Sequence, residues 1–373
     1  MTNKKKKILF LYGALNAGGA ERVLIDLLRN LDYSKYEVTL CLIINGGLLL
    51  PEVPKQVTII SLWETYAVYY KLAFRMSVWY SSNYMFKRIL NKKISNSFDV
   101  EVSFLEGMPL KLHALMDTKA KKISWVHCDL CRFHYTKNLF FKTEELDAYN
   151  KMDAVVCVSK DATDAFHRRF PTCRTPVNTI YNPIDCKKIE LLTLIPAKKN
   201  STFTIVCIGR LTLPKKIDRV IRLAARLKQE GISVKFQIIG DGELKSDLIA
   251  QANQLNVVDI VSFLGYKSNP YPYLKNADIL LLSSGFEGFG LVVVEAMLLG
   301  VPVVSTKTSG PTELLDNNRF GLLCNHDDEA IYAAVKTMIE SQELRNHYKK
   351  VGYDRALEFS IEKTIAQFDE LIK

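Results

Sequence analysis

The stretch Ser283 to Thr312, SSGFEGFGLVVVEAMLLGVPVVSTKTSGPT, constrains the fold more tightly than any other part of the chain. The residues just before it, Ala277 to Leu282, form a near-continuous apolar run, as a strand buried on both faces of a parallel sheet would. A loop of small residues carrying one acid follows, from Ser283 to Phe289. The apolar spacing then predicts a helix from about Gly290 to Leu299, closed by Gly300, and a second strand from Val301 to Ser305 entered through Pro302. The unit is a strand–helix–strand crossover. Its first loop lies at the carboxyl end of its strand, the edge where open α/β sheets bind ligands.

Two carboxylates mark that edge, Glu287 in the loop and Glu295 eight positions later inside the helix. Glu295 interrupts the apolar run LVVVEAMLL, where an unpaired carboxylate would be costly to bury, so a polar group is expected to meet it. Between the acids, Phe289, Gly290 and Leu291 present the free N–H groups of a helix start, which attract phosphate through their donors and the helix dipole. Carboxylates for hydroxyls beside a phosphate-holding helix end suit a ligand with both groups. A capped helix with one salt-bridged glutamate satisfies the same spacing.

The run EGFGLVVVEAMLLGVPVVST resembles the E-x7-E signature of retaining GT-B glycosyltransferases of the group 1 or family 4 class, and the match extends through the flanking strand and the GVPVV return. The resemblance implies an α/β fold of GT-B architecture, two Rossmann-like domains facing each other across a cleft. It implies that Glu287 contacts the donor sugar and that Glu295 holds the ribose of the nucleotide. In such enzymes the donor is a nucleotide-diphosphate sugar used as co-substrate, with no cofactor.

The length agrees with two domains, since 373 residues exceed the size at which a single core stops growing. We expect an N-terminal acceptor domain over 1–182, a nucleotide-sugar domain over 183–358, and a closing helix over 359–373 that returns to the first domain. No apolar run is long enough to span a bilayer, and the segment behind Lys4 to Lys7 breaks early into glycines, so a cytoplasmic location is expected. Eight cysteines without framework spacing read as reduced thiols. Cys128 and Cys131, between His127 and His134, lack the second cysteine pair of a zinc ribbon, and no metal site is assigned. A formal net charge of +10 calls for an anionic partner; without a nucleic-acid-binding motif, that partner is a nucleotide or lipid headgroups.

Along the chain, GALNAGGAER joins a first strand, Lys7 to Tyr12, to a helix from Ala20 to Leu31. A glycine-containing loop there lets a ligand approach the backbone, and by resemblance Gly18 and Gly19 face the donor phosphates or the acceptor. Further strands are expected at Val38 to Ile44, Val100 to Leu105, Ile123 to His127 and Ala154 to Ser159, with a poorly patterned stretch from Gly46 to Leu62. His127 ends its strand at the binding edge and resembles a family histidine near the donor sugar; Glu106 is a weaker candidate. From Trp63 to Lys93 aromatic and basic residues mix with a single acid, Glu64. Such a mixture fits an interfacial helix on anionic lipid and equally a helix packing its aromatics on the sheet.

Lys187 to Asn200 is expected to be a linker. Strand Phe203 to Gly209 then leads into GRLTLPKK, where Arg210 and Lys215 could clamp a pyrophosphate with one forked and one point charge. The family pattern G-R-L-x-x-x-K matches both positions, whereas Lys216 stands where many relatives have glycine. By resemblance the loops at GDGE and FLGY border the nucleobase. No D-x-D triplet occurs, so protein cations are expected to replace a metal at the diphosphate. The expected activity is metal-independent transfer of a hexose-type sugar, from a UDP-sugar rather than a GDP-sugar, to a glycan or polyprenyl-linked acceptor in surface polysaccharide synthesis, with an anionic membrane surface as a further partner. An epimerase or hydrolase on the same fold, or a non-catalytic sugar-nucleotide-binding protein, are the alternatives. A nicotinamide dehydrogenase lacks its fingerprint here.

Overall fold

Apolar runs punctuated by glycine and proline become parallel strands throughout the chain. The computed structural model describes residues 4–16, 18–65, 68–94, 97–132, 134–194 and 202–373. Among these, the chain divides into two units, residues 1–183 with 361–373, and residues 184–360.

The first unit is built on β1 (Lys6–Tyr12), β2 (Tyr36–Ile44), β3 (Thr58–Trp63), β4 (Val100–Ser103), β5 (Lys121–Val126), β6 (Ala154–Cys157) and β7 (Val177–Thr179), in the spatial order 3-2-1-4-5-6-7. Every neighbouring pair is parallel, β1 aligning Ile8 with Val38 on one side and with Val100 on the other. The stretch from Gly46 to Leu62, without a clear pattern in the sequence, contributes the edge strand β3, whose first residues are exposed. Burial on one side only leaves too weak a period to read. The C-terminal helix Ile361–Leu371 belongs to this unit: Phe368 packs against Phe10 and Trp125, and the Tyr36 hydroxyl donates to Asp369 at 3.0 Å. Lys6 donates its ammonium to the Ile372 carbonyl at 2.7 Å.

The second unit repeats the plan with β8 (Phe203–Ile208), β9 (Val234–Ile239), β10 (Val261–Gly265), β11 (Ile279–Leu282), β12 (Val303–Thr306) and β13 (Leu322–Cys324), ordered 10-9-8-11-12-13 and again parallel. Its core packs Ile205, Phe236, Ile279 and Leu281 of the sheet against Val220 and Leu227 of the helix Ile217–Gln229. Both sheets thus have the Rossmann-like order, reversing direction between β1 and β4 in one unit and between β8 and β11 in the other.

Two expectations change in detail. The stretch taken as a linker begins as the helix Cys186–Leu192, whose start is capped by the Asp185 carboxylate accepting from Lys188 N–H at 2.9 Å; residues 195–200 lie outside those described. Trp63 to Lys93 forms the helices Val68–Tyr80 and Tyr84–Lys93, each with two faces. Ala73, Phe86 and Leu90 are buried with Tyr70 and Phe74 packed against them, while Val68, Tyr69, Trp79, Tyr80 and Tyr84 are more than two-thirds exposed. No described helix is long and apolar enough to cross a membrane.

Candidate active site

At the reversal point of the second sheet, the loops after β8 and β11 are bound to each other along their length. The Ser283 hydroxyl bridges the carbonyls of Lys215 and Lys216 at 3.0 and 2.9 Å, Gly285 N–H donates to the Pro214 carbonyl at 2.8 Å, and Arg219 donates to the Ser283 carbonyl at 3.2 Å. Thr306 of β12 adds a 2.6 Å bond to the Ser284 carbonyl from the neighbouring strand. These bonds hold two otherwise irregular segments in one geometry, which a charged site requires of its frame.

That frame presents Lys215 to Glu287. The ammonium and the carboxylate form an ion pair, both side chains retaining some exposure, so the pair stands at the solvent-facing edge of the sheet rather than in the core. Arg210, five residues before Lys215, is exposed, and its guanidinium has no partner among the described residues. Lys216 holds the left-handed conformation, φ 52° and ψ 42°, and starts the helix Ile217–Gln229. An L side chain there is strained, and glycine is the residue such a position favours. The Lys216 side chain lies over Gly285, within 3.6 Å of where a Cβ would stand.

Gly290 precedes the helix Leu291–Leu298 with φ 88°, another left-handed position, and no side chain caps the helix start. Its first turn holds no acid, so its N–H groups and dipole are left for an anion. Gly310, the second residue of the helix Ser309–Leu315, lets that helix start approach the loop closely: a Cβ there would fall 2.1 Å from the Phe289 carbonyl. Phe289 is buried with its ring against Phe359, so its side chain anchors the loop and only its backbone can serve a ligand. Glu295 is met by the Tyr271 hydroxyl, 3.1 Å from Oε1, which answers the expectation that something polar must meet it. No local pattern marks Tyr271 as that partner; it sits 24 residues away in the short helix Tyr271–Lys275.

The first unit is electrostatically different. Gly18 caps the helix Gly19–Asn30, and a Cβ on Gly18 would lie 2.3 Å from the Glu21 carboxylate. An acid already occupies the place an anionic ligand would take. His127 follows β5; both ring nitrogens are sealed from solvent and make no hydrogen bond of good geometry among the described residues, and burial pushes the imidazole down to about 4, leaving it neutral at physiological pH. Its ring packs at a tilt against Phe104, 5.0 Å between centroids. Glu106 is buried and fixes this strand end by accepting from His127 N–H and from the Tyr135 hydroxyl, both at 2.8 Å. Although Tyr135 is 42% exposed, desolvation at its hydroxyl end raises the phenol above its ordinary range, with the Glu106 charge adding to the rise. Nearby, His134 pairs with Glu145 at 2.7 Å and the Cys131 thiol turns to the Ala165 carbonyl at 3.2 Å. The structure brings Lys215 to Glu287 and seats Glu295 and Gly290 on the adjoining helix; Gly18, Gly19 and His127 belong to the other unit.

Comparison with known proteins follows the same division. Residues 17–188 match the family described as Glycosyltransferase Family 4, and residues 194–355 match Glycosyl transferases group 1. The Campylobacter jejuni N-acetylgalactosamine-N,N'-diacetylbacillosaminyl-diphospho-undecaprenol 4-alpha-N-acetylgalactosaminyltransferase is 30% identical over 362 residues, 94% of each chain. The crystal structure of Anabaena HepE in complex with UDP aligns with a TM-score of 0.78 at 20% identity, covering 98% of this chain and 99% of that one. That of WaaG, a glycosyltransferase involved in lipopolysaccharide biosynthesis, aligns at 0.73 and 14% identity over 98% and 99%. Both structures share the two-unit α/β fold.

Proposed function

This chain belongs to the group 1 / family 4 glycosyltransferases, and from that premise we propose that it transfers a hexose-type sugar from a UDP-sugar to a lipid-linked glycan acceptor, with retention at the anomeric carbon and without a metal. The observation that carries the reading is the Lys215–Glu287 ion pair beside the uncapped helix start at Gly290. As the sugar departs, negative charge grows on the β-phosphate. Lys215, Arg210 and the helix N–H groups stabilise it from fixed positions, which is worth more in the transition state than in the bound donor. Glu287 accepts a hydroxyl of the donor sugar, and Glu295, held by Tyr271, accepts the ribose hydroxyls. In this reading no side chain acts as nucleophile: the acceptor attacks on the face the phosphate leaves, and the leaving phosphate takes its proton.

A lipid-diphosphate-linked acceptor is supported by the name of the Campylobacter jejuni relative, a transferase acting on a diphospho-undecaprenol-linked sugar. It is also supported by the exposed aromatic face of the helices Val68–Tyr80 and Tyr84–Lys93, interleaved with Lys71 and Arg75, which suits peripheral attachment to an anionic bilayer. No observation favours an epimerase, a hydrolase or a non-catalytic partner.

The test is to incubate the protein with a panel of UDP- and GDP-sugars and a polyprenyl-diphosphate-linked saccharide, with and without EDTA, and to follow nucleotide release and the anomeric configuration of the product. Acceptor-dependent release from a UDP-sugar in EDTA is expected. Abolition by EDTA with rescue by manganese, or release independent of any acceptor, would overturn the reading.

A further inference from the structure

The loops at the opposite, amino edge of the first sheet enclose an open hollow of about 810 Å3, lined by Lys87, Lys119, Lys121, Lys122 and Lys151 against two acids, Asp117 and Asp153. It sits where β5 and β6 begin. His127 and Glu106 follow the far ends of β5 and β4, so a six-residue strand, roughly 20 Å at about 3.3 Å per residue, separates the hollow from them. The donor residues lie in the other unit altogether.

The walls are fixed and their cations are not spent on one another's counter-ions. Lys122 turns its ammonium to the Met116 carbonyl, Lys151 donates to the Ala114 carbonyl at 3.1 Å, and Thr118 ties the loop to the buried Glu101 at 2.9 Å. Asp153 is occupied by the Lys122 N–H at 2.7 Å. Lys87, Lys119 and Lys121 form no ion pair among the described residues. The backbone N–H groups of Asp117, Thr118, Lys119 and Ala120, on the same wall, donate to no partner among the described residues. Like charges gathered around a concavity repel one another, and the energy is recovered when a multiply charged anion enters. Compact ammonium charges together with a run of backbone N–H groups suit phosphate oxygens.

We propose that this hollow is a second anion site that takes a phosphate monoester or diphosphate group, distinct from the donor site. Two sources offer that chemistry, a soluble phosphate and an anionic lipid headgroup. Lys87 joins the hollow to the second: it lies one turn after the exposed Tyr84 on the helix Tyr84–Lys93, so a headgroup held here would sit beside the exposed aromatic surface. The assignment rests on the hollow alone and does not require the donor reading.

Calorimetric titration with inorganic pyrophosphate, in the presence of saturating UDP to fill the donor site, tests the soluble arm. Sedimentation with phosphatidic acid vesicles against phosphatidylcholine vesicles, at low and high salt, tests the lipid arm. The variant is Lys119→Ala/Lys121→Ala, one on the loop and one at the start of β5, with UDP affinity and far-UV circular dichroism as controls for the donor site and the fold. Wild type should bind at least one probe salt-dependently, and the variant should bind it about tenfold or more weakly, as expected for loss of charge-assisted contacts, with UDP affinity unchanged. Pyrophosphate binding alone assigns a soluble ligand, and vesicle binding alone assigns the headgroup. Neither probe bound, or equal binding by the variant, overturns the site.

Discussion

Two helices of this protein begin at a glycine that follows a sheet's reversal strand, and they are prepared for opposite ligands. Gly290 opens Leu291–Leu298 with no cap and no acid in the first turn, and beside it Lys215 and Glu287 are paired while Arg210 is exposed. Gly18 opens Gly19–Asn30 with the Glu21 carboxylate folded against it, and the nearby strand ends carry a neutral His127 and a buried Glu106. The same strand order therefore supports a cation-rich crevice in one unit and a neutral-to-acidic one in the other. The first suits a diphosphate and the second suits hydroxyls, and this contrast supports the proposal that donor and acceptor are taken by different units.

The most direct way to break the comparison is to remove the charge from the second unit. Lys215→Ala should slow sugar transfer by roughly 100-fold or more if it acts as an oxyanion donor does, and Glu287→Ala should lower turnover with little loss of UDP affinity. Steady-state kinetics with a UDP-sugar check both; wild-type-like turnover in Lys215→Ala would remove the second unit's claim to the diphosphate.

The neutrality of the first unit can be tested by acid. His127 keeps its proton off until about pH 4 in the folded chain, against about 6.5 when unfolded. Above pH 6.5 both states are neutral and stability is full; between 6.5 and 4 the unfolded chain takes up a proton that the folded chain refuses, and stability falls; below 4 the loss levels off. At ~1.4 kcal/mol per unit, the loss is on the order of 3 kcal/mol. His113, also held low by its burial, adds a loss of the same sign. Urea unfolding at pH 7, 5.5 and 4 should show a shallower descent for His127→Asn than for wild type, and parallel descents would contradict the burial of a neutral ring.

Glu295→Ala should weaken UDP binding by about 1.5 to 3 kcal/mol, and Tyr271→Phe by about 1 kcal/mol, since the hydroxyl only orients the carboxylate. Calorimetry with UDP ranks the two, and a larger loss for Tyr271→Phe would make the tyrosine itself the ligand contact. The smallest effect is expected at Lys216. Exchange for glycine relieves a left-handed residue but adds freedom to the unfolded chain, so the melting temperature should move by less than about 4 °C, with UDP affinity falling about threefold or less from the lost surface charge. A larger drop in UDP affinity would place Lys216 among the diphosphate contacts.

Much of this comparison was legible from residues alone. The apolar run, polar loop and Glu-bearing helix around Ser283 to Thr312 announce a parallel crossover because strand burial and helix spacing leave distinct periods. Glu295 could be named because a charge inside an apolar run needs a partner, whereas Glu287, Arg210 and Lys215 could be named from their places on strand-end loops and from the family pattern they match. The partners themselves were hidden. Tyr271 reaches Glu295, and Ser283 clasps the Lys215 loop, through tertiary approach of distant segments that no local pattern encodes. The edge strands β3 and β7 escaped notice because partial exposure and a three-residue length leave no period to detect. Glu21 stood in plain view in the sequence, yet only the folded helix start turns its carboxylate onto Gly18.

The central claim is that the diphosphate is held by the cationic crevice of the second unit, and the measurement that tests it most directly is the ratio of UDP to uridine affinity. Wild type should prefer UDP by roughly 100-fold, Lys215→Ala should reduce that preference to within about tenfold, and Glu21→Gln should leave it unchanged, because only the first removes a charge-assisted contact to phosphate. An undiminished preference in Lys215→Ala, or one lost in Glu21→Gln, would contradict the account.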